Sequence, residues 1–370
     1  MSPSVVVALD SFKGTISAAD AVAALAAGWG SAGAVDAVLR PMADGGEGTI
    51  EAFATAVAGA ERHPVRVTGP AGGPVEASWL LLPGTDDAPR GTAVVELAST
   101  SGIELLGERR LGLDADTTGF GQAIAAALDH GVSRLLLGIG SSASTDGGVG
   151  MLRALGGEFT DNFGEPVAPG ARGLERLASA HLDRVRRPPV GGVKVLTDVT
   201  NPLLGPVGAA AVFGPQKGLD ADGVARAEAG LARLAKLMQV PFYEPGAGAA
   251  GGTGFALLAW GAQLVPGARE VADLVGLREA IASADLVVTG EGGYDSQSAK
   301  GKVPAHVAAL AAEAGVPCVL VAGRIGDDAD TSGFRAAVSL TDLAGSPEVA
   351  SAEPARWLRE AGAVLASKPL

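Results

Sequence analysis

Val5-Val6-Val7-Ala8-Leu9-Asp10-Ser11-Phe12-Lys13-Gly14 opens with an unbroken apolar run that stops at a polar turn ending in glycine. Such a run reads as a strand covered on both faces, the pattern of a parallel sheet. Ser17 then offers an N-cap, and the spacing predicts a helix from there to Trp29. A second strand over Val35–Arg40 leads into Met42-Ala43-Asp44-Gly45-Gly46-Glu47-Gly48 and a helix through Ala58. The pattern returns after Ala284, with a strand over Leu286–Thr289, a loop from Gly290 to Lys302 and a helix over Pro304–Ala314. Strands over Val319–Val321 and Ala336–Leu340 and a helix from Glu353 complete it. Strands alternating with helices predict an α/β fold.

Between these ends the pattern changes. Pro64–Leu82 alternates around Gly69-Pro70-Ala71-Gly72-Gly73-Pro74, which predicts an antiparallel hairpin, and Thr92–Leu97 follows as another strand. Helices are expected over Thr117–His130, after Gly147, over Asp222–Met238 and over Gly254–Trp260, with strands at Arg134–Leu137 and Val193–Leu196. The expected architecture is a parallel three-layer α/β domain, Rossmann- or flavodoxin-like, built from residues 1–65 and 270–370. A second, mixed α/β domain, residues 66–269, is inserted into it, with the site in the cleft between them.

Composition narrows the function. With 370 residues, 47% of them hydrophobic, the chain can bury a large core and divide into two domains. A net charge of −13 argues against a nucleic-acid surface, although local lysines and helix N-termini can still hold a small anion. The single cysteine, Cys318, sits in an apolar run and reads as core filler. No run approaches a membrane span, and Val5–Leu9 is too short for a secretory segment, so a cytoplasmic protein is expected. The four histidines lack metal-ligand spacing, and no Gly-x-Ser-x-Gly elbow supports a hydrolase triad.

In open α/β sheets, ligands gather at the carboxyl ends of the strands. The loops placed there carry Asp10, Ser11 and Lys13, then Asp44 and Glu47, then Glu291, Asp295, Lys300 and Lys302. Each acid alone reads first as a cap or a solvated turn, and their recurrence at equivalent strand ends reverses that preference for the set. In the middle region, Gly138-Ile139-Gly140-Ser141-Ser142-Ala143-Ser144-Thr145-Asp146-Gly147-Gly148 joins a strand to a helix. Its backbone N–H groups and hydroxyls suit phosphate, or a structural turn. It has no Gly-Lys-Ser/Thr ending, and Ala143 breaks the dinucleotide spacing. Asp198 follows an apolar strand, where it can hold Mg²⁺, accept a hydroxyl proton or open an Asx-turn. Lys217 occupies a glycine-flanked turn, Gly214-Pro215-Gln216-Lys217-Gly218, and the accumulation of acids, amides and lysines suggests phosphoryl transfer.

Taken together, Asp10-Ser11-Phe12-Lys13-Gly14, Met42 to Thr49, Asp198-Val199-Thr200-Asn201-Pro202-Leu203, Gly214 to Gly218 and Thr289-Gly290-Glu291-Gly292 resemble the bacterial glycerate kinase type 1 family along essentially the whole chain. The resemblance implies ATP-dependent phosphorylation of D-glycerate to 2-phosphoglycerate. Two departures stand out: Gly290-Glu291-Gly292-Gly293-Tyr294-Asp295 lacks the arginine that relatives commonly carry, and Ser141–Thr145 differs from the usual Gly-Ser-Ala-Thr-Asn. On this reading Asp198, Asp44, Lys217 and Lys13 are catalytic. Gly140, Ser141, Ser142, Thr145, Asp146, Gly147 and Lys302 bind ATP, Asp10, Ser11, Glu47 and Asp295 bind glycerate, and Asp198 with Glu291 holds Mg²⁺. The alternatives are a kinase for another small hydroxy acid or polyol, and a non-catalytic nucleotide or metabolite sensor.

Overall fold

The structure is a computed structural model that describes residues 3–32, 35–296, 298 and 302–367. Its strands are β1 (Ser4–Leu9), β2 (Asp36–Leu39), β3 (Glu61–Thr68), β4 (Pro74–Leu82), β5 (Thr92–Glu96), β6 (Arg134–Gly138), β7 (Glu158–Thr160), β8 (Ser179–His181), β9 (Val193–Leu196), β10 (Gln263–Val265), β11 (Leu286–Tyr294), β12 (Cys318–Ile325) and β13 (Ala336–Ser339). The chain divides into two compact units. One comprises Met1–Asp44, Glu51–Ala58 and Pro266–Leu370, the other Gly45–Ile50 and Gly59–Val265. No helix among the described residues is long and apolar enough to cross a membrane.

The first unit holds a five-stranded sheet in the order β13-β12-β11-β1-β2, with every neighbouring pair parallel. Val5, Val7, Leu9, Val288, Val319 and Leu358 belong to its core, which explains the continuous apolar runs of the central strands. Ser17 caps the helix Ala18–Ala32 as predicted, its Oγ accepting from the Asp20 amide at 3.1 Å and donating to the Asp20 carboxylate at 2.8 Å. That helix packs against Pro354–Ala366, and a Cβ on Gly28 would collide with the Arg359 backbone, so only glycine permits the approach. Cys318 is buried, as expected of core filler, and burial pushes its thiol up to about 12. The strand expected to end at Thr289 continues to Tyr294, because Gly293 and Tyr294 pair with Arg324 and Ile325 of an equally extended β12. Glu291 therefore lies within a strand, not in a loop.

The second unit holds a six-stranded mixed sheet, β10-β9-β6-β5-β4-β3, and a separate pair, β7-β8. The predicted hairpin is β3-β4, antiparallel, while β5, β6, β9 and β10 run parallel. Helices Thr118–His130, Val149–Ala154 and Ala221–Met238 match the expected segments. The helix expected from Gly254 begins at Ala249, with a kink in which Ala250, Gly251 and Gly252 all adopt left-handed backbone conformations. Phe120, Leu135, Leu152, Leu231 and Phe255 lie in the core of this unit.

Candidate active site

In the first sheet, the chain runs from β1 to β2 on one side, while β11, β12 and β13 extend the other way. The reversal falls between β1 and β11, where an open α/β sheet leaves a crevice at its carboxyl edge. Asp10 follows β1 directly and Glu291 lies near the end of β11, so the two acids flank that point. A cavity of about 460 Å³ opens there, lined in part by Asp10, Ser11, Lys13, Asp44, Glu291 and Lys302.

Asp10 is buried, and its Oδ1 accepts from the Ser11 amide at 2.7 Å. Burial, helped by the nearby Asp44 charge, raises its carboxyl well above the ordinary value. Burial likewise raises Glu291, whose Oε1 is enclosed without a hydrogen-bond partner. Lys302 stands 3.9 Å from Glu291, and Lys13 stands 3.8 Å from Asp44. Such a mixture of buried acids and adjacent cations suits a polyanion accompanied by a divalent cation better than a neutral ligand. Asp295 accepts from the Ser298 amide at 3.1 Å and so closes a local turn. Lys300, expected to take part, lies outside the described residues.

The second unit gathers a different set at the carboxyl ends of β6 and β9. Gly140 donates its amide to the Gly45 carbonyl at 2.9 Å, which brings the Gly45–Gly48 turn onto the glycine-rich loop. Ser141 holds a left-handed conformation, φ 58°, and its carbonyl accepts from Ile103 at 2.8 Å. Ser142 and Ser144 share a hydroxyl contact of 3.2 Å. Lys217 is only 3% exposed, and its ammonium donates to the Ser144 carbonyl at 2.5 Å. Burial lowers its pKa to about 8, against an opposing effect of Asp146. The kinked Ala250–Gly252 segment lies alongside, where any side chain on Gly251 would meet the backbone of Ser144 and Thr145 and the Lys217 ammonium.

A family model described as the Glycerate kinase family matches residues 5–368. The chain belongs to the glycerate kinase family. It is 41% identical to a glycerate kinase from Bacillus subtilis over 338 residues, covering 88% of this chain and 86% of that protein. It is 40% identical to a glycerate 2-kinase from Escherichia coli over 336 residues, again covering 88% and 86%. The crystal structure of a protein assigned as glycerate kinase 2 from Salmonella typhimurium LT2 superimposes with a TM-score of 0.79 at 37% identity, over 99% of this chain and 98% of that one.

Within this glycerate kinase family member, the residues read from the sequence are divided between the two units. Asp10, Ser11, Lys13, Asp44, Glu291 and Lys302 line the cavity of the first unit. Gly140, Ser141, Ser142, Thr145, Asp146, Gly147 and Lys217 lie in the second unit, as does Asp198. Asp198 is exposed just beyond β9, and Glu47 is exposed in the Gly45–Gly48 turn. Asp146, expected as an ATP contact, is occupied with the protein's own backbone. Fully buried, it accepts from the amides of Thr117, Gly148 and Gly150 and from the Thr117 hydroxyl, all within 3.1 Å. Its carboxylate is committed to joining two helix starts to the loop. Thr145 is also fully enclosed, with no partner for its hydroxyl. Sequence reasoning missed Glu96, a buried acid that accepts from Gly48 at 3.3 Å and Ile50 at 3.1 Å and so fixes the turn beside Glu47. It missed Arg324 and Thr341, which line the first cavity from β12 and the segment after β13.

Proposed function

We propose that the protein transfers the γ-phosphoryl group of ATP to the 2-hydroxyl of D-glycerate, releasing ADP and 2-phosphoglycerate. The observation that carries this reading is the family match over nearly the whole chain, together with likeness to a relative named glycerate 2-kinase. In the reaction, the bond from the γ-phosphorus to the β-phosphate bridging oxygen breaks and a bond to the substrate oxygen forms. The hydroxyl proton leaves to a carboxylate or to solvent. Such chemistry depends on positioning and charge neutralisation more than on covalent participation.

Among the described residues no group of three or more His, Cys, Asp or Glu is arranged to hold a metal. Mg²⁺ needs only one or two carboxylates beside phosphate and water, and the enclosed, unpartnered oxygen of Glu291 fits that demand. Glu291, with Asp198 as the second candidate, would hold Mg²⁺, which when bound supplies charge neutralisation to the phosphates. Asp198 orients the hydroxyl, and Asp44 assists. Lys13, Lys217 and Lys302 neutralise phosphate or carboxylate charge, and the Ser141–Gly148 loop contributes backbone donors. We read the second unit as a domain inserted into the first. An ADP-release assay across a panel of hydroxy acids and polyols, with ATP and Mg²⁺, tests the reading. D-glycerate is expected to give the highest kcat/KM, and a better polyol or an unstimulated basal rate would overturn it.

A further inference from the structure

We propose that the cavity of the first unit is the nucleotide site, with the triphosphate at the Asp10 and Glu291 end and the base on the wall beyond β12 and β13. The inference rests on the reading of the chain as an ATP-dependent kinase; it keeps Lys302 with the nucleotide and moves Asp10 and Ser11 there from the glycerate site that the sequence suggested.

Size is the first argument. A volume of about 460 Å³ falls in the range that accommodates drug-sized ligands and far exceeds what a three-carbon acid fills. Polarity is the second. The strand order runs β1, β11, β12, β13 from the acidic side outward. Three strand spacings cover about 14 Å, a length suited to a nucleoside triphosphate. At the near end stand Asp10, Glu291 and Lys302, with the unpartnered Glu291 oxygen enclosed there. At the far end the lining turns apolar, through Leu340, Pro347, Ala350 and Pro354. A charged end and an apolar end in one cavity match a ligand with a polyanionic tail and a flat, weakly polar head. Between them, Arg324 offers a cation, and Thr341 donates its hydroxyl to the Gly323 carbonyl at 2.8 Å, which leaves the oxygen able to accept from a sugar hydroxyl.

Isothermal titration of the full chain with ATP and Mg²⁺, without glycerate, tests the assignment through Ser351→Trp and Arg324→Ala. Ser351 lines the cavity and is exposed, so the indole is expected to intrude on the base wall without disturbing the core. Each variant should weaken ATP binding by about tenfold or more, while KM for glycerate at saturating ATP stays unchanged. Arg324→Ala only removes a side chain from an exposed position, so the test stands even if Ser351→Trp fails to fold. Undiminished ATP affinity in a folded variant, or a raised glycerate KM with ATP binding intact, overturns the proposal. ATP binding that is lost in the variants, in a protein that never phosphorylates glycerate, would leave this assignment standing and remove the proposed substrate.

Discussion

Lys217 is a side chain whose chemistry depends on burial. Its folded pKa of about 8 lies below the ordinary 10.5, so the unfolded chain holds the proton more tightly. The cost of burying the charge is present in full below about pH 8 and is relieved as the pH rises towards 10.5. By linkage, this residue alone should make the fold more stable across that interval, by roughly 3 kcal/mol at most. Urea midpoints of the native protein should rise over that window relative to Lys217→Met, and parallel profiles would contradict the assignment. Where the cation neutralises substrate charge, kcat/KM should fall as the pH passes about 8, and an activity that holds level to pH 10 would exclude that role. At Asp198, exposed beyond β9, Asn should lower kcat by about 10²-fold or more with an unchanged circular dichroism spectrum. Near-normal turnover would remove Asp198 from the mechanism. The sequence showed Lys217 in a rigid turn but could not show its burial, because Ser144 and the Gly251 kink that enclose it lie far away in the chain. Glu96 was hidden for a similar reason: it ends an apolar strand, and its partners sit 48 and 46 residues earlier.

At the level of elements, the glycine-rich loop keeps its shape through Asp146. Asp146→Ala would strand buried amides at Thr117, Gly148 and Gly150 and should cost about 3 kcal/mol or more, since each bond to an ionised acceptor counts for more than a neutral one. A urea midpoint within error of the native protein would show that the network is dispensable. Gly251→Ala forces a Cβ into backbone at φ 68° and should destabilise by more than about 1 kcal/mol while weakening catalysis through Lys217. Unaltered melting and kinetics would contradict that account of the kink. Regular elements were legible wherever apolar spacing was strong, as in β1, the β3-β4 hairpin and the helix Ala221–Met238. The continuation of β11 was not, because Gly290, Gly292 and Gly293 carry no strand preference, and the extension past Gly290 is held by pairing with the parallel strand β12. Three-residue strands such as β7, β8 and β10 were too short for any periodicity to register.

Across the whole molecule, each unit holds residues to which the proposed reading gives a role. Glu291→Gln in the first unit and Lys217→Met in the second should therefore each suppress turnover. The reaction itself is the most direct measurement: a ³¹P NMR time course of the protein with ATP, Mg²⁺ and D-glycerate. The expected spectrum loses the γ-phosphate signal of ATP while ADP and a phosphomonoester grow in step, the ester split into a doublet by the single hydrogen on carbon 2. ATP that persists, or ADP that forms with orthophosphate alone, would contradict the assignment of this chain as a kinase acting on glycerate.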